Sequence, residues 1–264
     1  MSRSFPVETS CPRTRSFRPW WFLALTFVWT WSFWWAAVLS GGSWADPLSF
    51  GLFALGGAGP LLSAALLLRV AGRRREEMDF WRRVVDVRVL GVREWSLVAV
   101  VALLPSVVGR VVSGSDGRTI VPGAVLVLVA AVVAGILEEP GWRGYGLDAF
   151  NDRHGALVAA GIIGCVWALW HLPLFFLPGS YQAGLGLGSG GFWLFVFGLF
   201  ALSFVYAAVY FVTGRSILAV VVLHAGSNAA GELVSAPGER TVESVVTLLM
   251  TLVAVIVLVR RVPG

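Results

Sequence analysis

Residues 120–146 read IVPGAVLVLVAAVVAGILEEPGWRGYG, an uncharged apolar run that ends on two adjacent glutamates, Glu138 and Glu139. A run of this kind is long enough to cross the hydrocarbon layer of a bilayer as a helix, which takes about 20 residues. An ionisable side chain near the centre of that layer costs about 2.5 to 3.5 kcal/mol on insertion scales, so such residues face a bundle interior and are functional candidates by default. The stretch therefore sets both the fold class and the question of what the two acids do.

The rest of the chain follows the same pattern. Of its 264 residues 57% are hydrophobic and 13% charged, a balance outside the usual range of soluble domains. Eight runs are apolar enough to span, at about 20 residues each, over residues 20–40, 47–68, 95–112, 120–150, 155–178, 192–212, 217–235 and 244–259. The expected fold is thus all-α: a polytopic transmembrane bundle of about eight spans, one integral membrane domain over residues 1–264.

Every basic residue is an arginine, and short cytoplasmic loops are enriched in them. With both termini cytoplasmic, seventeen of the twenty arginines fall inside; Arg110, Arg118 and Arg240 remain outside. The formal net charge of +5 then describes loops against anionic lipid, and no nucleic-acid partner is expected. The first span holds Trp20, Trp21, Trp29, Trp31, Trp34 and Trp35, too many for a cleavable signal, and reads as an anchor with aromatic belts. Cys11 and Cys165 imply neither a disulfide framework nor a metal motif. Residues 72–94, basic and interspersed with Phe80, Trp81, Val84 and Val85, read as an amphipathic element of the inner headgroup layer or a solvated loop. Residues 178–191, PGSYQAGLGLGSGG, read as a flexible linker.

Few other ionisable or amide groups lie within the spans. Arg143 follows Glu139 by four residues, acid before base, so the two can neutralise each other on one helical face. Adjacent helical residues point about 100° apart; Glu138 therefore has another task, with one acid structural and the other facing a cavity. Pro140 lacks an N–H and would leave the Ile136 carbonyl unserved, while Pro173 does the same for Leu169. Irregular backbone at membrane depth is tolerated where it lines a hydrated cavity. His171 follows Trp167 by four residues, and the indole is expected to buttress the imidazole. His224 and Asn228 are another such pair, with Glu232 one turn further.

These residues resemble the motifs of the CPBP family, the CAAX proteases and bacteriocin-processing enzymes also called the Abi family. EEPGWRG is similar to its EExxxR through Glu138, Glu139 and Arg143; WALWH resembles its FxxxH, with Trp167 in place of the phenylalanine and His171 matching; HAGSN matches HxxxN/D through His224 and Asn228. The resemblance covers about residues 90–235. It implies an eight-helix intramembrane endopeptidase of the CAAX prenyl protease type, in which Glu138 with His171 activates a water, His224 with Asn228 forms an oxyanion hole, and Glu139 with Arg143 supports the site. Its substrate would be a prenylated or other membrane-associated peptide among membrane lipids; the compact, arginine-only chain without organelle-type signals points to a prokaryotic cell membrane.

Three other readings use the same residues. Glu138, His171 and His224 form a zinc ligand set with an open fourth position. Asn228 is a poor zinc ligand and HExxH is absent, which favours a metal-independent, glutamate-dependent route without a cofactor. Buried acids on broken helices also suit a transporter, and a non-catalytic bacteriocin-immunity protein could retain the motifs.

Overall fold

The structure, a computed structural model, describes residues 18–114, 124–233 and 239–261. Cys11, Arg118 and the first three arginines lie outside the described residues. Within them the chain is helical throughout: α1 (Pro19–Leu39), α2 (Pro47–Gly57), α3 (Gly59–Val70), α4 (Arg74–Val85), α5 (Val92–Ser113), α6 (Ala124–Glu139), α7 (Asp148–His154), α8 (Ala156–Trp170), α9 (Tyr181–Leu185), α10 (Gly190–Val212), α11 (Ile217–Leu233) and α12 (Arg240–Arg261). A π-helical segment, Pro140–Leu147, joins α6 to α7, and a 3-10 turn, Leu172–Phe176, follows α8.

Among the described residues six helical stretches are long and apolar enough to cross a membrane, or seven if α2 and α3, bent by 41° at their junction, form one broken span. The remaining expected span, the seventh in chain order, is α11, which has 17 residues, about 25 Å of helix. It is short because it is interior: α11 packs against α5 and α6, while α10 packs between α8 and α12.

Each break in this bundle has a local cause and a local remedy. At the α2–α3 bend Pro60 has no N–H for the Gly56 carbonyl four residues back. The Thr30 hydroxyl of α1 donates to that carbonyl at 2.8 Å, as Ser and Thr side chains do in membrane helices. Trp29 and Trp34 donate their indole N–H groups to the neighbouring carbonyls of Leu55 and Phe53 at 2.8 and 2.9 Å. Trp31 reaches the Trp170 carbonyl at the end of α8, at 3.2 Å. Along α1, Trp20, Trp21 and Trp29 are exposed, while the indole N–H groups of Trp29, Trp31 and Trp34 satisfy irregular backbone.

Pro140 ends the α form at Glu139 without interrupting the helical stretch, which runs on to His154. The chain widens into the π form, whose N–H groups reach five residues back instead of four, a register that absorbs a missing donor. Glycines let this wider segment fit. A Cβ on Gly141 would lie 2.4 Å from the Pro60 backbone, and one on Gly144 2.6 Å from Ile217 and 2.9 Å from Phe80. The presumed linker over 178–191 is also more regular than expected: it contains α9, with Ser180 and Ser189 accepting from the N–H groups of Ala183 and Phe192.

Gly141→Ala is predicted to destabilise the folded protein by about 1–3 kcal/mol, the usual effect of overpacking, because the neighbour it strikes is main chain. Gly57→Ala, where a Cβ meets nothing within 4 Å, serves as the control in thermal unfolding of the detergent-solubilised protein; equal melting temperatures for the two variants would contradict this packing.

Candidate active site

The residues singled out from the sequence gather where α6, α8 and α11 meet. Glu138 and Glu139 close α6, Arg143 sits in the π segment, Trp167 and His171 lie at the end of α8, and His224 is midway along α11. The two glutamates differ as their angular separation requires. Glu139 is fully buried, and its Oε1 accepts from Arg143 Nη1 at 2.8 Å and from His224 Nδ1 at 2.7 Å. The expected Glu139–Arg143 pair is therefore present, and His224 completes it.

The Arg143 guanidinium is held between two aromatic faces, 4.4 Å from the Trp167 ring centroid and 4.7 Å from that of Tyr206. Buried cation–π contacts of this kind are worth about 2 kcal/mol when desolvated. Tyr206 was not singled out from the sequence. It comes from α10, where Tyr206 and Tyr210 are an i, i+4 pair of hydroxyl-bearing rings in an otherwise apolar run, the one signal that could have drawn attention to it.

Glu138 is placed differently, 8% exposed at the margin of the cluster. Its Oε2 accepts from the Trp167 indole N–H at 2.8 Å. Trp167 also joins the acid to His171, because its main-chain carbonyl lies 2.8 Å from His171 Nδ1. A carbonyl only accepts, so Nδ1 carries the proton and the neutral ring leaves its Nε2 lone pair unused. The expected buttress thus runs through the Trp167 backbone, with the two rings 6.1 Å apart at their centroids. His171 is the residue at which α8 ends, its N–H bonding the Ala168 carbonyl in 3-10 fashion at 3.3 Å. The ring is fixed by Trp170 and Phe195, in T-shaped contacts with centroids 4.8 and 5.4 Å away.

His224 is nearly buried, its ring 5.8 Å from that of Trp167 and 6.0 Å from that of Tyr206. Asn228, one turn further on the same helix, is exposed, and no hydrogen bond joins it to His224. Glu232 is also exposed. Among the described residues no three His, Cys, Asp or Glu side chains stand together so as to hold a metal ion. The Nδ1 of His171 faces the Trp167 carbonyl and that of His224 faces Glu139, so Nε2 is the ring atom each histidine has left to offer a water, a substrate or a metal ion.

Comparison with known proteins agrees with the motifs. Residues 120–230 match the family model described as "Type II CAAX prenyl endopeptidase Rce1-like". A relative named "CAAX prenyl protease 2", from Methanococcus maripaludis, is 28% identical over 171 residues, which are 60% of this chain and 62% of that protein. The matched stretch, residues 120–230, contains all three motifs.

Proposed function

We propose that this integral membrane protein is a glutamate-dependent intramembrane endopeptidase of the CAAX type, hydrolysing a peptide bond of a prenylated or otherwise membrane-anchored substrate at a prokaryotic cell membrane. The observation that carries the reading is the inequality of two adjacent acids. Glu139 has its charge and its geometry committed to Arg143 and His224, whereas Glu138 is steadied by a single indole donor at the edge of the cluster.

A water at that edge lies within reach of the Glu138 carboxylate, which takes its proton as general base. The resulting hydroxide adds to the substrate carbonyl carbon, and the carbonyl becomes an oxyanion. His224 and Asn228, both on α11, supply donors to that oxyanion: the His224 Nε2–H, present when the ring is an imidazolium balanced by Glu139, and the Asn228 amide. Substrate would draw Asn228 inward from its exposed position. His171, with Nδ1 pinned to the Trp167 carbonyl, presents Nε2 to the same water and orients it. Collapse of the intermediate breaks the C–N bond, and the proton taken by Glu138 passes to the leaving amine. No step passes through a metal ion.

Purified protein with a quenched CAAX-type peptide tests this directly. Glu138→Gln, which keeps shape and loses basicity, is expected to lower kcat about 10²- to 10⁴-fold, the range of general acid–base catalysis, and His171→Ala to lower it substantially. Rigorous chelation is expected to leave the wild-type rate unchanged. Full turnover by Glu138→Gln would remove the proposed base, and loss of activity on chelation restored by zinc would replace this route with a metal-dependent one.

The substitution of tryptophan for the family's phenylalanine makes a second prediction. Trp167→Phe keeps the ring packing and the carbonyl that holds His171, but strips Glu138 of its donor, a loss of about 1–3 kcal/mol for a buried acceptor. We expect kcat to fall about 10- to 100-fold with KM little changed; a wild-type kcat in Trp167→Phe would show that the indole does not position the acid.

A further inference from the structure

A second buried charge cluster lies outside the proposed catalytic residues, at the far end of the π segment. Its centre is Asp148, the first residue of α7, whose side chain is 1% exposed. Arg215 grips both of its oxygens, Nε donating to Oδ1 at 3.1 Å and Nη2 to Oδ2. The Tyr210 hydroxyl donates to Oδ2 at 3.0 Å and accepts from Arg83 Nη1, which also lies 3.4 Å from Oδ2. Asp148, Arg215, Tyr210 and Arg83 thus form a quartet, which Arg83 Nε extends to Asp79 at 3.1 Å, itself paired with Arg82 at 3.0 Å. Burial, the largest single influence, acts to lower the pKa of Arg215, but Asp148 and Tyr210 together, with the hydrogen bonds to both, outweigh it and hold the guanidinium above its ordinary value. Arg215 has φ +65°, a left-handed backbone rare outside glycine, and its side chain and its N–H, which bonds the Tyr210 carbonyl at 2.7 Å, keep it there.

Arg83 belongs to α4, the basic helix between the second and third expected spans, and α4 touches the π segment a second time. Phe80, 1% exposed, lies against Gly144, with no room for a Cβ between them. The π segment is therefore held by α4 at Gly144 and at its end, Asp148. Arg143, the residue that fixes Glu139, is the immediate neighbour of Gly144. A second connection runs along α10: Tyr210 in the quartet is one helical turn from Tyr206, on which the Arg143 guanidinium rests.

We propose that α4 is a positioning clamp for the active site, in which Arg83 and Phe80, acting through Asp148 and Gly144, fix the π segment and hence the placement of Arg143 on Glu139. The catalytic half of this inference rests on the endopeptidase reading; the mechanical half rests on the contacts alone. A π-helical turn has poorer intrinsic stability than the α form, so its shape must be imposed by what packs on it. Among the arginines of α4, Arg83 is the one whose side chain is largely buried and engaged by Asp148 and Tyr210.

The test uses the full chain in detergent or nanodiscs, with Arg83→Met, Arg83→Lys and Phe80→Ala, and reads kcat and KM on the quenched peptide alongside amide hydrogen exchange of residues 139–148, with α12 as internal reference. Arg83→Met is expected to lower kcat about 10- to 100-fold, as small misplacements of catalytic groups do, with KM changing by less than about twofold. Exchange should rise in 139–148 and not in α12, Arg83→Lys should recover part of kcat through its single charge, and Phe80→Ala should repeat the pattern. The clamp is refuted by a kcat within about twofold of wild type, by exchange rising equally in α12, or by a rise confined to KM, which would make Arg83 a substrate contact. If wild type proves as inert as Glu138→Gln, the endopeptidase reading fails, and the exchange profile still decides the clamp.

Discussion

The structure of the site depends on one buried carboxylate. Glu139 is removed from water on all sides, which is tolerable only because a guanidinium and an imidazole converge on it. Removing one partner from such a pair costs about 3–5 kcal/mol, since the remaining charge is left uncompensated. Satisfying Glu139 brings α11 to α6 through His224, and holding Arg143 in place brings in α8 through Trp167 and α10 through Tyr206. Four helices are thus referenced to a single anionic oxygen. Glu138, one residue earlier, inherits a fixed position without sharing the task.

Much of this was legible in the chain. The order of apolar runs predicts the helices, and the i, i+4 spacing of Glu139 and Arg143 predicts their ion pair, because both depend on local periodicity. The division of labour between the two glutamates follows from the same geometry. What the spacing could not supply is the partner across space: His224 pairs with Glu139, 85 residues away in sequence, and the indole of Trp167 goes to Glu138 instead of remaining beside His171. Tyr206 and the quartet around Asp148 were missed for a related reason. A tyrosine in an apolar helix and an aspartate after a run of glycines are unremarkable until the fold sets them against arginines from other elements.

Depth was the hardest quantity to read. Treating residues 120–150 and 155–178 as single spans puts Glu138 and His171 at different levels of the bilayer, since each level is then counted from the middle of an unbroken helix. In the structure α6 ends at Glu139 and α8 at Trp170. Both prolines lie just past those ends, and the acid and the imidazole, each at the last turn of its own helix, are linked through the indole and the carbonyl of Trp167. Chain length past the break belongs to π and 3-10 segments with different rises, so residue counts from the span centre mislead.

The prolines also account for how the proposed hydrolytic centre is accommodated among hydrocarbon side chains. Backbone groups freed in a bilayer must find partners, and at the α2–α3 bend and the end of α8 they find Thr30, Trp29, Trp34 and Trp31 of the first helix. Where the freed backbone lies beside ionisable groups, water is a further partner, and a cavity that holds water is one in which a carboxylate can act as a base. The irregular helix and the chemistry are therefore linked: a continuous α-helix through residues 138–147 would need no polar partners and would place Arg143 by α geometry, whereas the wider π turn brings its guanidinium between Trp167 and Tyr206. The glycines at 141 and 144 bear on the same point, because a π segment packed against the Pro60 backbone on one side and Phe80 and Ile217 on another has no space for larger residues. The sequence EEPGWRG thus combines charge, a missing donor and two absent side chains in seven residues, and each is needed for the other two to be accommodated.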